Sequence, residues 1–142
     1  MNQPDLERFV RVQEGVYPRV LAELRAGRKS SHWIWFVFPQ VWGLGRSPMS
    51  ERYAISGADE ARAYLAHPVL GARLEECTRL MLAQPGPDAE AVLGGIDAVK
   101  FRSSMTLFAA VAPPDSVFAG ALAKYFGGRG DQLTLDRLGR RP

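Results

Sequence analysis

The spacing of apolar residues constrains this chain most, because nearly every segment carries the repeat of an amphipathic helix. Leu6, Phe9 and Val10 give the first apolar stripe, and Leu70, Leu74 and Cys77 begin a longer one. Prolines and glycines separate these segments, where they end one helix or begin the next. The pattern predicts helices over residues 6–14, 18–26, 57–66, 68–81, 88–93, 97–112 and 115–126, with a final turn over 134–138.

One run resists this interpretation. Residues 33–38 read WIWFVF, an aromatic and β-branched composition that suits a buried strand. The chain has no second run of this kind, and a lone strand would leave its backbone groups without partners. We therefore expect a buried helix or turn that Pro39 ends. The predicted fold is mainly α: a single helical domain over residues 1–142, a compact bundle of about six to eight helices with little or no strand.

Several classes of protein do not fit the sequence. The longest uninterrupted apolar stretch, residues 33–39, falls far short of the roughly 20 residues that span a membrane. The polar N-terminus lacks the pattern of a secretory leader, so we expect a cytoplasmic location. Cys77 is the one cysteine and lies on an apolar stripe, which predicts a core residue rather than a nucleophile. No metal site and no cofactor are predicted, since His32 and His67 stand far apart and no phosphate-binding glycine motif occurs.

The charge pattern argues against a nucleic-acid protein. Eighteen basic and 15 acidic residues give a net charge of +3, and the two signs are interspersed along the helices. Proteins that bind nucleic acid usually gather basic residues on one face. We expect weak, non-specific binding to duplex DNA, no membrane association, and an anionic small molecule as the candidate partner; the sequence gives no oligomeric state.

The helix predicted to begin at Asp97 carries a polar face. Asp97, Lys100 and Ser104 fall at i, i+3 and i+7, with Ser103 alongside. In one interpretation Asp97 caps the helix and Lys100 is solvated. In the other, Lys100, Ser103 and Ser104 line a pocket for an anion.

The aromatic run and the loop that follows it supply the other wall of such a pocket. Trp33 is expected in the core, whereas Gln40 and Trp42 stand in a glycine-containing loop over residues 40–50. Flat apolar walls with a few directional polar groups are typical of small-molecule sites, and Gln40 could bind an amide or a base edge. His32 is either a base or an imidazole that the fold itself satisfies.

Four segments also carry a resemblance to a known family. They are KSSHWIWFVFPQ at 29–40 with GLG at 43–45, EARAYLAHPVLG at 60–71, DAVKFRSSMTLF at 97–108, and FGG at 126–128 with Asp131, Thr134 and Leu135. In this order and spacing they resemble the bacterial domain-of-unknown-function family eighteen-ten, whose members often carry the label calpastatin in error. The resemblance implies one mainly α-helical domain, and it implies no established activity or catalytic residue.

From the residues, two functions remain open. The first is a small hydrolase-like enzyme acting on an anionic, nucleotide-like or ADP-ribose-like molecule. The second is a non-catalytic regulatory domain that binds a ligand or a protein. For the enzyme, the candidate catalytic residues are Asp97, Lys100 and Asp131, and the candidate substrate-binding residues are His32, Trp33, Gln40, Trp42, Ser103 and Ser104.

Overall fold

A computed structural model describes residues 5–139, and helices account for most of them. In chain order the helices are α1 (Glu7–Glu14), α2 (Tyr17–Arg25), α3 (Ile34–Val37), α4 (Pro48–Arg52), α5 (Ala58–Ala66), α6 (Leu70–Leu82), α7 (Ala89–Leu93), α8 (Gly95–Ala109), α9 (Val117–Phe126) and α10 (Gln132–Gly139). The mainly α fold predicted from the sequence is confirmed. The described residues hold ten helices rather than six to eight, because short helices such as α3 and α4 form where no long apolar repeat exists.

The segment between α3 and α5 is more ordered than the predicted loop. Ser47 caps α4, its hydroxyl oxygen accepting from the Ser50 amide at 3.1 Å, so the loop over residues 40–50 ends three residues early. Val41 and Ile55 form an isolated parallel bridge, the single strand-like pairing within residues 5–139. The Trp42 amide donates to the Ile55 carbonyl at 2.9 Å, and the Ile55 amide donates to the Gln40 carbonyl at 2.8 Å. These two hydrogen bonds hold the ends of the segment over residues 41–55 together.

Aromatic side chains fill the core. Helices α6 and α8 lie at its centre, α9 packs against both, and α5, α7 and α10 flank α8. Trp33, Phe36 and Phe38 are all buried, so the expectation that the aromatic run joins the core is confirmed. The ring centroids of Phe38 and Phe101 lie 4.8 Å apart with their planes nearly perpendicular, a favourable geometry for aromatic pairs.

The start of α8 is set by a glycine. Gly94 has a φ of +87°, a conformation that side chains other than glycine rarely adopt, and it ends α7 and begins α8. The Lys29 amide donates to the Val92 carbonyl of α7 at 2.7 Å. This bond holds the irregular segment over residues 28–33 against the end of α7, just before α8 begins.

Among residues 5–139, no helix combines the length and the apolar content needed to cross a membrane.

Candidate functional site

Two cavities lie side by side along the N-terminal half of α8. The loop cavity, about 570 Å³, and the serine cavity, about 460 Å³, share Trp35, Ile96 and Lys100 as lining residues. Because these three residues line both, the two cavities adjoin, and together they are called the Lys100 groove below. The loop cavity is also lined by Gln40, Leu44, Gly45, Arg46, Ser47, Ser50 and Val99. The serine cavity is also lined by Lys29, Ser30, Ser31, His32, Leu93, Gly94, Gly95 and Asp97.

An ion pair borders the serine cavity. Lys29 Nζ lies 2.7 Å from Asp97 Oδ2, and the side chains are 7% and 20% exposed. The same ammonium group lies 5.0 Å from the centroid of a Trp33 ring, within the range of a cation–π contact. Asp97 stands in the first turn of α8, and Lys29 neutralises its charge there. The pair therefore fixes the segment over residues 28–33 to α8 and leaves little net charge of its own in the cavity.

Lys100 lies one turn further along α8, at the junction of the two cavities. Its side chain is half-buried, and none of the ion pairs among residues 5–139 involves it. A cation that is partly withdrawn from water and has no partner attracts an anion more strongly than one in open solvent. Lys100 is therefore the group in the groove best suited to bind an anionic ligand.

Glu23, on α2, holds the segment behind the serine cavity. Its carboxylate accepts from the Ser30 amide at 2.7 Å, the Ser31 amide at 3.0 Å, the Trp33 indole N–H at 2.9 Å and the Ser31 hydroxyl. Burial opposes the charge of this carboxylate, but the hydrogen bonds outweigh that effect and lower the pKa of Glu23 to about 2. Glu23 is therefore ionised at neutral pH, although the residue is only 8% exposed.

The loop cavity has mostly apolar walls. Trp35, Leu44 and Val99 line it, and Gln40 contributes an amide side chain. The hydrogen bonds of residues 5–139 do not include the Gln40 amide group, while its backbone is fixed by Ile55. The amide can thus offer both a donor and an acceptor to a ligand.

The structure brings four of the predicted site residues to the groove. His32, Gln40, Asp97 and Lys100 all line it, although the first and the last are 68 positions apart in the chain. His32 is exposed at the edge of the serine cavity. The structure therefore places these four residues, from the aromatic segment and the first turns of α8, along one groove.

Three predicted site residues lie in the core instead. Trp33 is 1% exposed and its indole N–H is held by Glu23. The Ser103 hydroxyl donates to the Val99 carbonyl of its own helix at 3.2 Å, and the Ser104 hydroxyl is buried with no partner among the described residues. Neither serine lines the groove. The expectation that they form an anion pocket with Lys100 is corrected, because α8 turns both side chains toward its packed neighbours.

Trp42 lies outside both cavities. It is 44% exposed, and the Arg137 guanidinium of α10 covers its ring at 4.5 Å from the centroid. The same guanidinium donates to the Gly43 carbonyl at 3.3 Å. Trp42 thus anchors the loop to α10 and is not a wall of the groove.

Asp131 also stands apart from the groove. Its carboxylate accepts from the amide and the hydroxyl of Thr134, at 2.9 and 2.7 Å, at the start of α10. It lines a different cavity of about 340 Å³, together with Arg102 and Phe126. The structure therefore does not place Asp131 beside Lys100, where the predicted catalytic role would require it.

The sequence analysis missed several residues that line or support the groove, among them Lys29, Trp35, Arg46 and Glu23. Lys29 stands in a segment with no periodic pattern. Trp35 is two positions from the buried Trp33, and residues two apart on a helix face nearly opposite sides. If the run is interpreted as a helix, Trp35 is therefore expected to face away from the core. Glu23 follows the buried Val20 by three positions and so lies on the apolar face of α2. A charged residue on an apolar face was the sequence signal that could have identified it.

Cys77 takes no part in the groove. Its thiol is fully buried on α6, as predicted, and burial raises its pKa to about 12. A thiol with so high a pKa is a poor nucleophile at neutral pH.

Comparison with known proteins places the chain in a family without an assigned activity. The crystal structure of the conserved hypothetical protein Rv1873 from Mycobacterium tuberculosis is 50% identical and superposes with a TM-score of 0.94, over 96% of this chain and 98% of that one. No curated protein matches. The sequence profile described as "Protein of unknown function (DUF1810)" matches residues 3–138. The chain therefore belongs to the DUF1810 family, the family that its four sequence segments resemble.

Proposed function

We propose that the Lys100 groove binds a small anionic molecule that carries a flat ring, of the nucleotide class. The observation that carries the proposal is the position of Lys100. It is half-buried, has no ion-pair partner within residues 5–139, and lies where two cavities meet beside Trp35.

The charge of the groove favours an anion. Three cationic side chains line it, Lys29, Arg46 and Lys100, against one carboxylate, Asp97. Since Asp97 is paired with Lys29, the charges of Lys100 and Arg46 remain for a ligand. An ammonium group acts as a point charge toward a phosphate, and a guanidinium group can donate two parallel hydrogen bonds.

The shape and lining of the loop cavity favour a ring. Trp35, Leu44 and Val99 supply apolar surface next to Lys100, and the Gln40 amide faces the same space. A nucleobase has an apolar face for stacking and a polar edge for an amide. In this arrangement the ring occupies the loop cavity and the anionic group lies at Lys100.

Calorimetric titration with ADP, with adenosine and inorganic phosphate alongside, tests this proposal. ADP should bind, and Lys100→Ala should weaken its binding by about 1.5–3 kcal/mol, the range for a hydrogen bond to a charged group. Arg19→Ala is the matched control, since Arg19 is exposed, lines neither cavity and carries the same charge. A wild-type protein that binds neither ADP nor phosphate, or a Lys100→Ala variant that binds as wild type does, would rule the proposal out.

A hydrolase acting on such a ligand is the second candidate, because two groups suited to acid–base chemistry line the serine cavity. Asp97 holds Lys29 through one carboxylate oxygen, and His32 is exposed at the edge of the same cavity. Either could take a proton from an attacking water. Incubation with ADP-ribose, followed by chromatography of the products, separates an enzyme from a binding domain. Turnover that Asp97→Asn or His32→Asn abolishes, with ADP-ribose still bound, is the expected result for an enzyme; absence of turnover favours the binding domain.

A further inference from the structure

We propose that Glu23 is the positioning residue of the serine cavity: its buried carboxylate holds residues 30–33 in the one conformation in which Lys29 and His32 border the groove. The inference rests on the proposed function, since it concerns how the same groove is kept ready for an anion. Glu23 touches neither cavity, so its role is exerted through the segment it binds.

The hydrogen bonds of Glu23 all converge from one short segment. Its four donors are two backbone amides, one hydroxyl and one indole N–H, and all belong to Ser30, Ser31 and Trp33. The amides of Ser30 and Ser31 have no helical partner, since they lie between the end of α2 and the start of α3. The carboxylate supplies the acceptors that a helix or a sheet would otherwise supply.

Charge and shape together make a carboxylate the suitable group. Oε1 accepts from the three N–H groups and Oε2 accepts from the Ser31 hydroxyl. A neutral glutamine oxygen in place of Oε1 would bind the same three N–H groups more weakly, because hydrogen bonds to an ionised acceptor are about twice as strong. The fixed segment then places Lys29 on Asp97 and His32 at the cavity edge. A binding site whose walls are ordered before the ligand arrives loses less entropy on binding and binds more tightly.

A second buried carboxylate provides a matched control. Glu60, on α5, is 4% exposed and accepts from the Ser56 amide at 2.7 Å and from Arg8 at 3.2 Å. It lines neither cavity. Glu60→Gln therefore removes a comparable buried charge without touching residues 30–33, and it reports any loss of affinity that follows from general destabilisation alone.

The test compares Glu23→Gln, Glu60→Gln and the wild type in titrations with ADP and in amide hydrogen exchange. Glu23→Gln should weaken ADP binding by about tenfold or more and speed exchange of the Ser30 and Ser31 amides, while the Ser56 amide stays protected. Glu60→Gln should leave ADP affinity within about twofold of the wild type and give the opposite exchange pattern. Equal losses of affinity in both variants, or unchanged exchange at Ser30 and Ser31 in Glu23→Gln, would overturn the inference.

A milder variant covers the case in which Glu23→Gln does not fold. Ser31→Ala removes one donor to Glu23 and leaves the carboxylate buried and bonded. It should speed exchange of the Ser30 amide and lower ADP affinity by a smaller factor; no change in either overturns the inference. If the wild type binds no ADP, the proposed function fails first, and the exchange data decide separately whether Glu23 orders the segment.

Discussion

The two ends of α8 carry similar residues but expose them to very different degrees. Its first turns, up to Lys100, face the groove and carry Ile96 and Val99, two of the most exposed apolar side chains among residues 5–139. Its last turns, from Phe101 to Phe108, are almost wholly enclosed, serines and threonine included. A polar side chain on this helix therefore indicates a site only where the neighbouring segments leave space.

The core end of α8 should contribute far more to the free energy of unfolding than the groove end does. Phe108 is fully buried and its ring lies 5.4 Å from Tyr64 and 5.8 Å from Phe118, centroid to centroid. Phe108→Ala should lower the free energy of unfolding by about 3–5 kcal/mol, since it removes a buried ring and leaves a cavity. Ile96→Ala, at the exposed end, should change it by no more than about 0.5 kcal/mol. Urea unfolding of both variants measures the contrast, and similar losses would break the comparison between the two ends.

The groove end should contain one stabilising contact, the ion pair of Lys29 with Asp97. Lys29→Met keeps the length of the side chain but leaves the Asp97 carboxylate unpaired. This should cost about 3 kcal/mol, the low end for a buried pair, because Asp97 is partly exposed. Lys100→Met should cost no more than about 0.5 kcal/mol, because Lys100 has no ion pair to lose. Thermal unfolding distinguishes the two lysines. Equal costs would show that Lys100, too, serves the fold rather than a ligand.

The support of the groove by Glu23 should depend on pH. The pKa of Glu23 in the folded chain, about 2, lies below its ordinary value of 4.5. Its contribution to stability, on the order of 3 kcal/mol, is therefore present above pH 4.5 and is lost as the pH falls through about 2. The difference in stability between wild type and Glu23→Gln should shrink over that interval. A difference that stays constant between pH 6 and pH 2.5 would contradict this assignment.

The fold was more predictable than the site, and the reason is physical. Helices such as α6 and α9 repeat an apolar stripe over several turns. Residues close together in the sequence are therefore enough to predict them. The groove is assembled from segments far apart in the chain, and a lysine in one segment does not reveal what lies opposite. The aromatic segment with Gln40 and the polar face of α8 with Lys100 were predicted to form one site because both stretches place polar residues beside aromatic ones.

The remaining errors came from side chains that the fold can satisfy in more than one way. Ser103 bonds to a carbonyl of its own helix and so enters the core without a distant partner. Trp42 meets Arg137, a contact across 95 positions that no local pattern contains. Asp131 caps α10, as aspartate commonly does before a helix, and this local role accounts for it without the groove.

Ser104 offers the finest test of the contrast along α8. It follows Lys100 by one turn and lies on the same side of the helix, yet its hydroxyl is fully buried and has no hydrogen-bond partner among the described residues. Ser104→Ala removes that unsatisfied group and places a better helix former there, so the free energy of unfolding should rise by about 0.5–1 kcal/mol. ADP affinity should stay unchanged, because the hydroxyl does not reach the groove. A loss of ADP affinity in this variant, measured by the same titration as for Lys100→Ala, would show that Ser104 belongs to the anion site. The groove would then reach further toward the core end of α8.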